Sequence, residues 1–245
     1  MQDKNPFDGT PTYGHYGRLW ALTAAVVLLQ AGASALGLAA GRRWDFGLNS
    51  FEAYIPALLA TGLASVAVLG GLGVSWRHAL ADWTRNFPRD AVLAVKYFGG
   101  YVLIGLSLAV ALLALAWFGG DGARTAMAPI SENSAAEAAM LNGAASASWL
   151  RALPALLAAF VLGPAVEELF FRRIFYSAIR RRNGFWPSAL LSGLVFALFH
   201  GAAAPVILPV GVYFCWVYER ERRLPVNIML HSLVNVVSVS LKALL

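Results

Sequence analysis

The chain has 245 residues, of which 59% are hydrophobic and only 13% charged, with a mean hydropathy of +0.63. Soluble domains carry about 25% charged residues, so this composition excludes an ordinary soluble globule and points to a membrane protein. The net charge of +6 does not mark a nucleic-acid binder, because 16 of the 19 basic residues are Arg, most sit in short clusters between apolar runs, and no nucleic-acid motif accompanies them.

Residues 1–18 are polar and rich in Gly and Pro, and read as a flexible tail. They lack the charged-then-apolar layout of a cleaved signal peptide, so the first apolar run is expected to be a retained anchor. Seven apolar segments follow, at roughly 19–41, 53–76, 92–118, 152–171, 187–200, 204–218 and 225–244. A spanning helix needs about 20 residues. The first four segments and the last reach that length, and the short fifth and sixth can tilt or bury their polar ends in protein. The expected fold is all-α: a polytopic membrane helical bundle of about seven transmembrane helices, with residues 19–245 as a single domain. The longest connection, 119–150, is rich in Ala, Gly and Ser. Ser134 and Glu137 form a capping-box pattern in it that predicts a short surface helix ending at Gly143, either filler or a lid. The one cysteine, Cys215, lies in an apolar run; it excludes an intrachain disulfide and reads as a packed small hydrophobe.

If the spans alternate, one side of the membrane collects thirteen basic residues, in the N-terminal tail and in 77–91, 172–186 and 219–224, and the other collects five. The rich side is expected to be cytoplasmic, which puts the N-terminus inside and 119–150 outside. The short loops and the Arg- and Ala-rich composition suggest a bacterial inner membrane.

Charge inside the fourth apolar segment needs a reason. "GPAVEELFFRR", residues 163–173, holds Glu167, Glu168, Arg172 and Arg173, and the helical pattern continues to Arg180. Glu167 is therefore ~20 Å of helix away from the arginine boundary at 180–182. Ionisable residues at such depth are costly and suggest function. Glu168 and Arg172, at i and i+4, can pair on one face, while Glu167 points about 100° away. A carboxylate in apolar surroundings is a candidate general base. Pro164, one turn earlier, can loosen the backbone and admit water. Two later segments add His200, at the end of "FALFH", and His231 with Asn235 at i and i+4 in "HSLVN".

"EELFFR" at 167–172, "FALFH" at 196–200 and "HSLVN" at 231–235 together resemble the CPBP family (CAAX protease and bacteriocin-processing, also Abi), which includes the Ras-converting CAAX endopeptidases. The resemblance covers about 150–240; each motif alone is weak, and three in order are specific. It implies an intramembrane endopeptidase with Glu167, His200, His231 and Asn235 as catalytic residues. Glu167 and His200 would activate water, His231 and Asn235 would stabilise the oxyanion, and Glu168 and Arg172 would support the site. The expected partners are the lipid bilayer and a peptide or protein segment reaching the membrane from the cytoplasm, and no nucleic acid. A zinc ion held by Glu167, His200 and His231 is the alternative to metal-free, glutamate-activated water. A non-catalytic membrane scaffold, a bacteriocin-immunity protein and a proton-coupled carrier are the other functional classes that fit buried Glu and His residues.

Overall fold

The computed structural model describes residues 5–44 and 50–244. Among them the secondary structure is wholly helical. Six helical stretches are long and apolar enough to cross a membrane, and a shorter apolar helix accompanies them, so the protein is an all-α membrane bundle. In chain order the helices are α1 (Tyr16–Trp44), α2 (Ser50–Gly71), α3 (Trp76–Phe118) and α4 (Gly120–Ala147). One long broken span follows, made of α5 (Trp149–Leu157), a π-helical turn at Ala158–Leu162, α6 (Gly163–Glu168), a second π-helical stretch at Leu169–Tyr176, and α7 (Ser177–Arg180). Helices α8 (Phe185–Leu198), α9 (Ala204–Glu221) and α10 (Leu224–Leu244) complete the fold, with a 3-10 turn at Gly201–Ala203 between α8 and α9.

Three expectations change. The 119–150 connection is not a loop with a short helix but the 28-residue helix α4, joined to its neighbours only through Gly119 and Ser148. Its Ala content carries the helix despite Gly and Pro129 within it. The expected capping side chains, Ser134 and Glu137, lie outside the described residues. Second, 77–91 is no loop either: it is the first third of α3, a 43-residue helix. At 1.5 Å per residue α3 is ~65 Å long, about twice the hydrocarbon thickness, so its Arg77–Arg89 turns extend past the apolar core.

The third change concerns the polar N-terminal segment, which is bound to the bundle where it is described. Phe7 is 2% exposed. Its ring lies 5.6 Å from that of Tyr176 and 5.7 Å from that of Tyr218. Asn5 Nδ2 donates to the Arg180 and Arg181 carbonyls, which end α7, at 2.9 and 3.0 Å. Arg222 and Arg173 donate to the Pro6 and Pro11 carbonyls at 3.1 and 3.0 Å. A sequence with few apolar residues is held here by one aromatic anchor and by carbonyls left free at a helix end.

The arginine-rich end beneath this strap is closely packed. Arg180 meets Glu219 at 2.8 Å, and the Tyr176 hydroxyl donates to the same carboxylate at 2.6 Å. Arg223 forks onto the buried Asp90 at 2.5 and 2.7 Å and reaches Asp82 at 3.1 Å, tying α3 to the turn between α9 and α10. The hydrogen bonds that Arg223 donates to Asp90 raise the pKa of its guanidinium above the ordinary value. Helices α8 and α9 touch backbone to backbone: a Cβ added at Gly211 would come within 3.0 Å of Gly193 Cα. Small residues permit this approach where no hydrophobic force acts between helices in lipid.

Candidate active site

The broken span carries both carboxylates, and Pro164 explains its form. In the π-helical turn the Gly163 N–H bonds back five residues to the Ala158 carbonyl. The next bond in that register needs an N–H at Pro164, which has none. The Ala159 carbonyl is thus left over, and Asn235 Nδ2 donates to it at 2.9 Å. Asn235, expected to donate to an oxyanion, completes the backbone of a neighbouring helix. π-helical turns of this kind recur at functional sites because they re-aim side chains.

Glu167 and Glu168 separate as their 100° offset demands. Glu168 is fully buried, as is Arg172, and their side chains meet at 3.2 Å. The guanidinium lies over the Phe196 ring at 4.7 Å and the Phe214 ring at 5.6 Å. These faces offset part of the desolvation of a buried cation. The other Glu168 oxygen accepts from His231 Nδ1 at 3.0 Å. A carboxylate accepts, so Nδ1 carries the proton and Nε2 turns toward Glu167, 3.8 Å from its Oε2. His200 is set the same way. Its Nδ1 lies 2.8 Å from the Phe196 carbonyl, which can only accept, and its Nε2 lies 4.0 Å from Glu167 Oε2. Gly201, in the left-handed region at φ +57°, turns the chain directly after His200 and leaves open space where a side chain would stand.

Glu167 Oε2, His200 Nε2 and His231 Nε2 therefore converge, and Glu167 Oε2 has no hydrogen-bond partner among the described residues. Separations of 3.8 and 4.0 Å exceed a direct hydrogen bond. They also exceed the ~3.3 Å between neighbouring ligands of a tetrahedral zinc with bonds of about 2.0–2.1 Å. No group of three or more His, Cys, Asp or Glu among the described residues is set out to hold a metal ion. The same separations suit one water bonded to both partners at ~2.8 Å.

Glu167 and His200 open on a cavity of about 430 Å³, lined also by Gln30, Tyr54, Phe171, Phe199 and Gly201. Gln30 comes from α1 and Tyr54 from α2, outside the stretch of about 150–240 that the motif resemblance covers. Gln30 Nε2 donates to the Tyr54 hydroxyl at 3.3 Å. The available signal was Gln30 itself, the one strongly polar side chain in the middle of "AVVLLQAGASALG".

Residues 148–237 match the family model described as Type II CAAX prenyl endopeptidase Rce1-like. Over those residues the chain is similar to that family. All six motif residues, Glu167, Glu168, Arg172, His200, His231 and Asn235, fall inside the matched stretch; Gln30 and Tyr54 fall outside it. The chain is also similar to "Putative membrane peptidase YdiL" of Bacillus subtilis (strain 168), 28% identical over 89 residues, which are 35% of this chain and 36% of that protein. It thus spans about a third of the length of the curated relative it matches. No solved structure matches.

Proposed function

We propose that the protein is an intramembrane endopeptidase, similar to type II CAAX prenyl endopeptidases, that hydrolyses a peptide bond with water activated by Glu167, His200 and His231. The observation that carries this reading is the convergence of three acceptor atoms, two of them fixed by the Glu168 and Phe196 contacts, at the edge of a cavity lined by both polar and aromatic side chains. A water held there gives its protons to two of the three acceptors and turns a lone pair toward the cavity. In the reaction the water oxygen adds to the scissile carbonyl carbon and its proton passes to Glu167. Collapse of the tetrahedral adduct breaks the C–N bond, and that proton is delivered to the leaving amine. Glu168 holds His231 in the required tautomer, and Arg172 balances the charge of Glu168. No step runs through a metal ion.

The substrate is a peptide or protein segment within reach of the bilayer. The cytoplasmic approach expected from sequence is not favoured. Below Glu167 the broken span is buried from Phe170 to Ile179 except at Arg173, and Phe7 covers the end of that layer. If the arginine-rich end and the N-terminus are cytoplasmic, as in a bacterial inner membrane, the substrate enters laterally or from the opposite side. The test is cleavage of an internally quenched peptide library by the full-length chain in proteoliposomes. Glu167→Gln is expected to lower the rate by ~10² to 10⁴-fold. A strong chelator is expected to leave the wild-type rate unchanged. Full activity in Glu167→Gln overturns the reading, and chelator-sensitive, zinc-restored cleavage overturns its metal-free form. No cleavage by the wild type returns the protein to the scaffold or carrier classes.

A further inference from the structure

Peptide hydrolysis needs a donor for the oxygen that becomes negative in the tetrahedral adduct. Of the donors expected from sequence, Asn235 gives one of its two amide hydrogens to the Ala159 carbonyl and is not among the residues that line the cavity, and the Nδ1–H of His231 faces Glu168. The cavity has another donor. Tyr54 shares the cavity wall with Glu167 and His200. Gln30 Nε2 occupies a lone pair of the phenolic oxygen, so the hydroxyl hydrogen is directed elsewhere, and no described residue accepts it. Its ring is packed against the cluster of Leu58, Ala158 and Val166, which joins α2 to the broken span that bears Glu167. The hydroxyl is thereby held on a rigid support, as a preorganised donor requires.

We propose that Tyr54, held by Gln30, is a further donor that stabilises the oxyanion in this cavity. The assignment rests on the peptidase reading above. In it Tyr54 donates a hydrogen bond to the carbonyl oxygen as water adds to the carbon, keeps its own proton throughout, and releases the oxygen when the C–N bond breaks. Tyr54 is then a catalytic residue, and Gln30 is a positioning residue that acts through it. The first half of the chain, outside the matched stretch, completes the site.

The experiment uses the full-length chain in proteoliposomes with the internally quenched peptide library, comparing wild type, Glu167→Gln, Tyr54→Phe, Gln30→Ala and the Tyr54→Phe/Gln30→Ala double variant. Tyr54→Phe keeps the ring and its packing, so the unfolding temperature is expected to hold. Its kcat is expected to fall by ~10² to 10³-fold, the loss that follows removal of one oxyanion donor, with KM nearly unchanged. Gln30→Ala is expected to lower kcat less, and the double variant to match Tyr54→Phe, because Gln30 has nothing to position once the hydroxyl is gone. Cleavage abolished in Glu167→Gln but undiminished in Tyr54→Phe overturns the assignment and leaves the peptidase reading standing. A further loss in the double variant overturns the role of Gln30. A wild-type chain that cleaves nothing overturns both readings together.

Discussion

The two ends of this bundle are built on opposite terms. At the arginine-rich end, charged and aromatic residues interlock: Arg223 with Asp90, Arg180 with Glu219 and Tyr176, and Phe7 between Tyr176 and Tyr218. About 20 Å further along the broken span, the packing opens into the cavity, and there Glu167 and His200 are each about a quarter exposed. The contrast shows how a membrane protein can keep ionisable groups at depth. The groups that support the fold are buried in pairs or between rings, and Glu167 and His200 face the cavity.

The largest stability effect is expected at the junction of the two regions. Arg172→Ala leaves Glu168 unpaired in a fully buried setting, and breaking one partner of such a pair costs ~3–5 kcal/mol. Unfolding temperature and peptide cleavage should fall together, because Glu168 also orients His231. Normal stability in this variant would show that the pair belongs to the reactive region alone.

Phe7→Ala probes the closed end by itself. A buried Phe truncated to Ala typically costs ~3–5 kcal/mol. The variant is expected to unfold earlier but, below its transition, to cleave within a few-fold of wild type. A changed KM with unchanged stability would mean that the strap governs access to the cavity and is not a structural closure.

Asn235→Ala is expected to cost less, ~1–3 kcal/mol at most, the penalty for a part-buried carbonyl left without a donor. Its kcat should change far less than that of Tyr54→Phe. A drop of ~10²-fold or more at unchanged stability would return Asn235 to the oxyanion and remove the reason for looking to Tyr54.

The smallest perturbation tests access. Phe199→Cys puts a thiol on the cavity wall, while the native Cys215 is fully buried and serves as an unlabelled control. A membrane-impermeant maleimide should label the new thiol from the side opposite the arginine-rich end. Labelling only from the arginine-rich side would reverse the proposed path of the substrate.

Much of the chemistry was legible without coordinates, because helical geometry is local. Residues at i and i+4 share a face, so Glu168 with Arg172 could be read from spacing alone, and Glu167 had to point elsewhere. Hydropathy located the spans because a bilayer demands about 20 apolar residues per crossing. Local composition misled where a segment's state depends on its neighbours. Residues 119–150 have the Gly and Ser of a loop, yet they form α4 against α3 and α5. The first residues have the polarity of a free tail, yet Phe7 and the end of α7 hold those that are described.

The sequence by itself determined a membrane helical bundle and marked the carboxylates and imidazoles of the candidate site, since both are written in residue type and short spacing. Only the tertiary structure decided what those groups face. Asn235 meets the Ala159 carbonyl because Pro164 lacks an N–H 71 residues earlier in the chain, and Glu168 meets His231 across 63 residues. Gln30 and Tyr54 join Glu167 from helices that carry no motif. Contacts between distant helices depend on how the helices pack, and no local pattern in the chain encodes that packing.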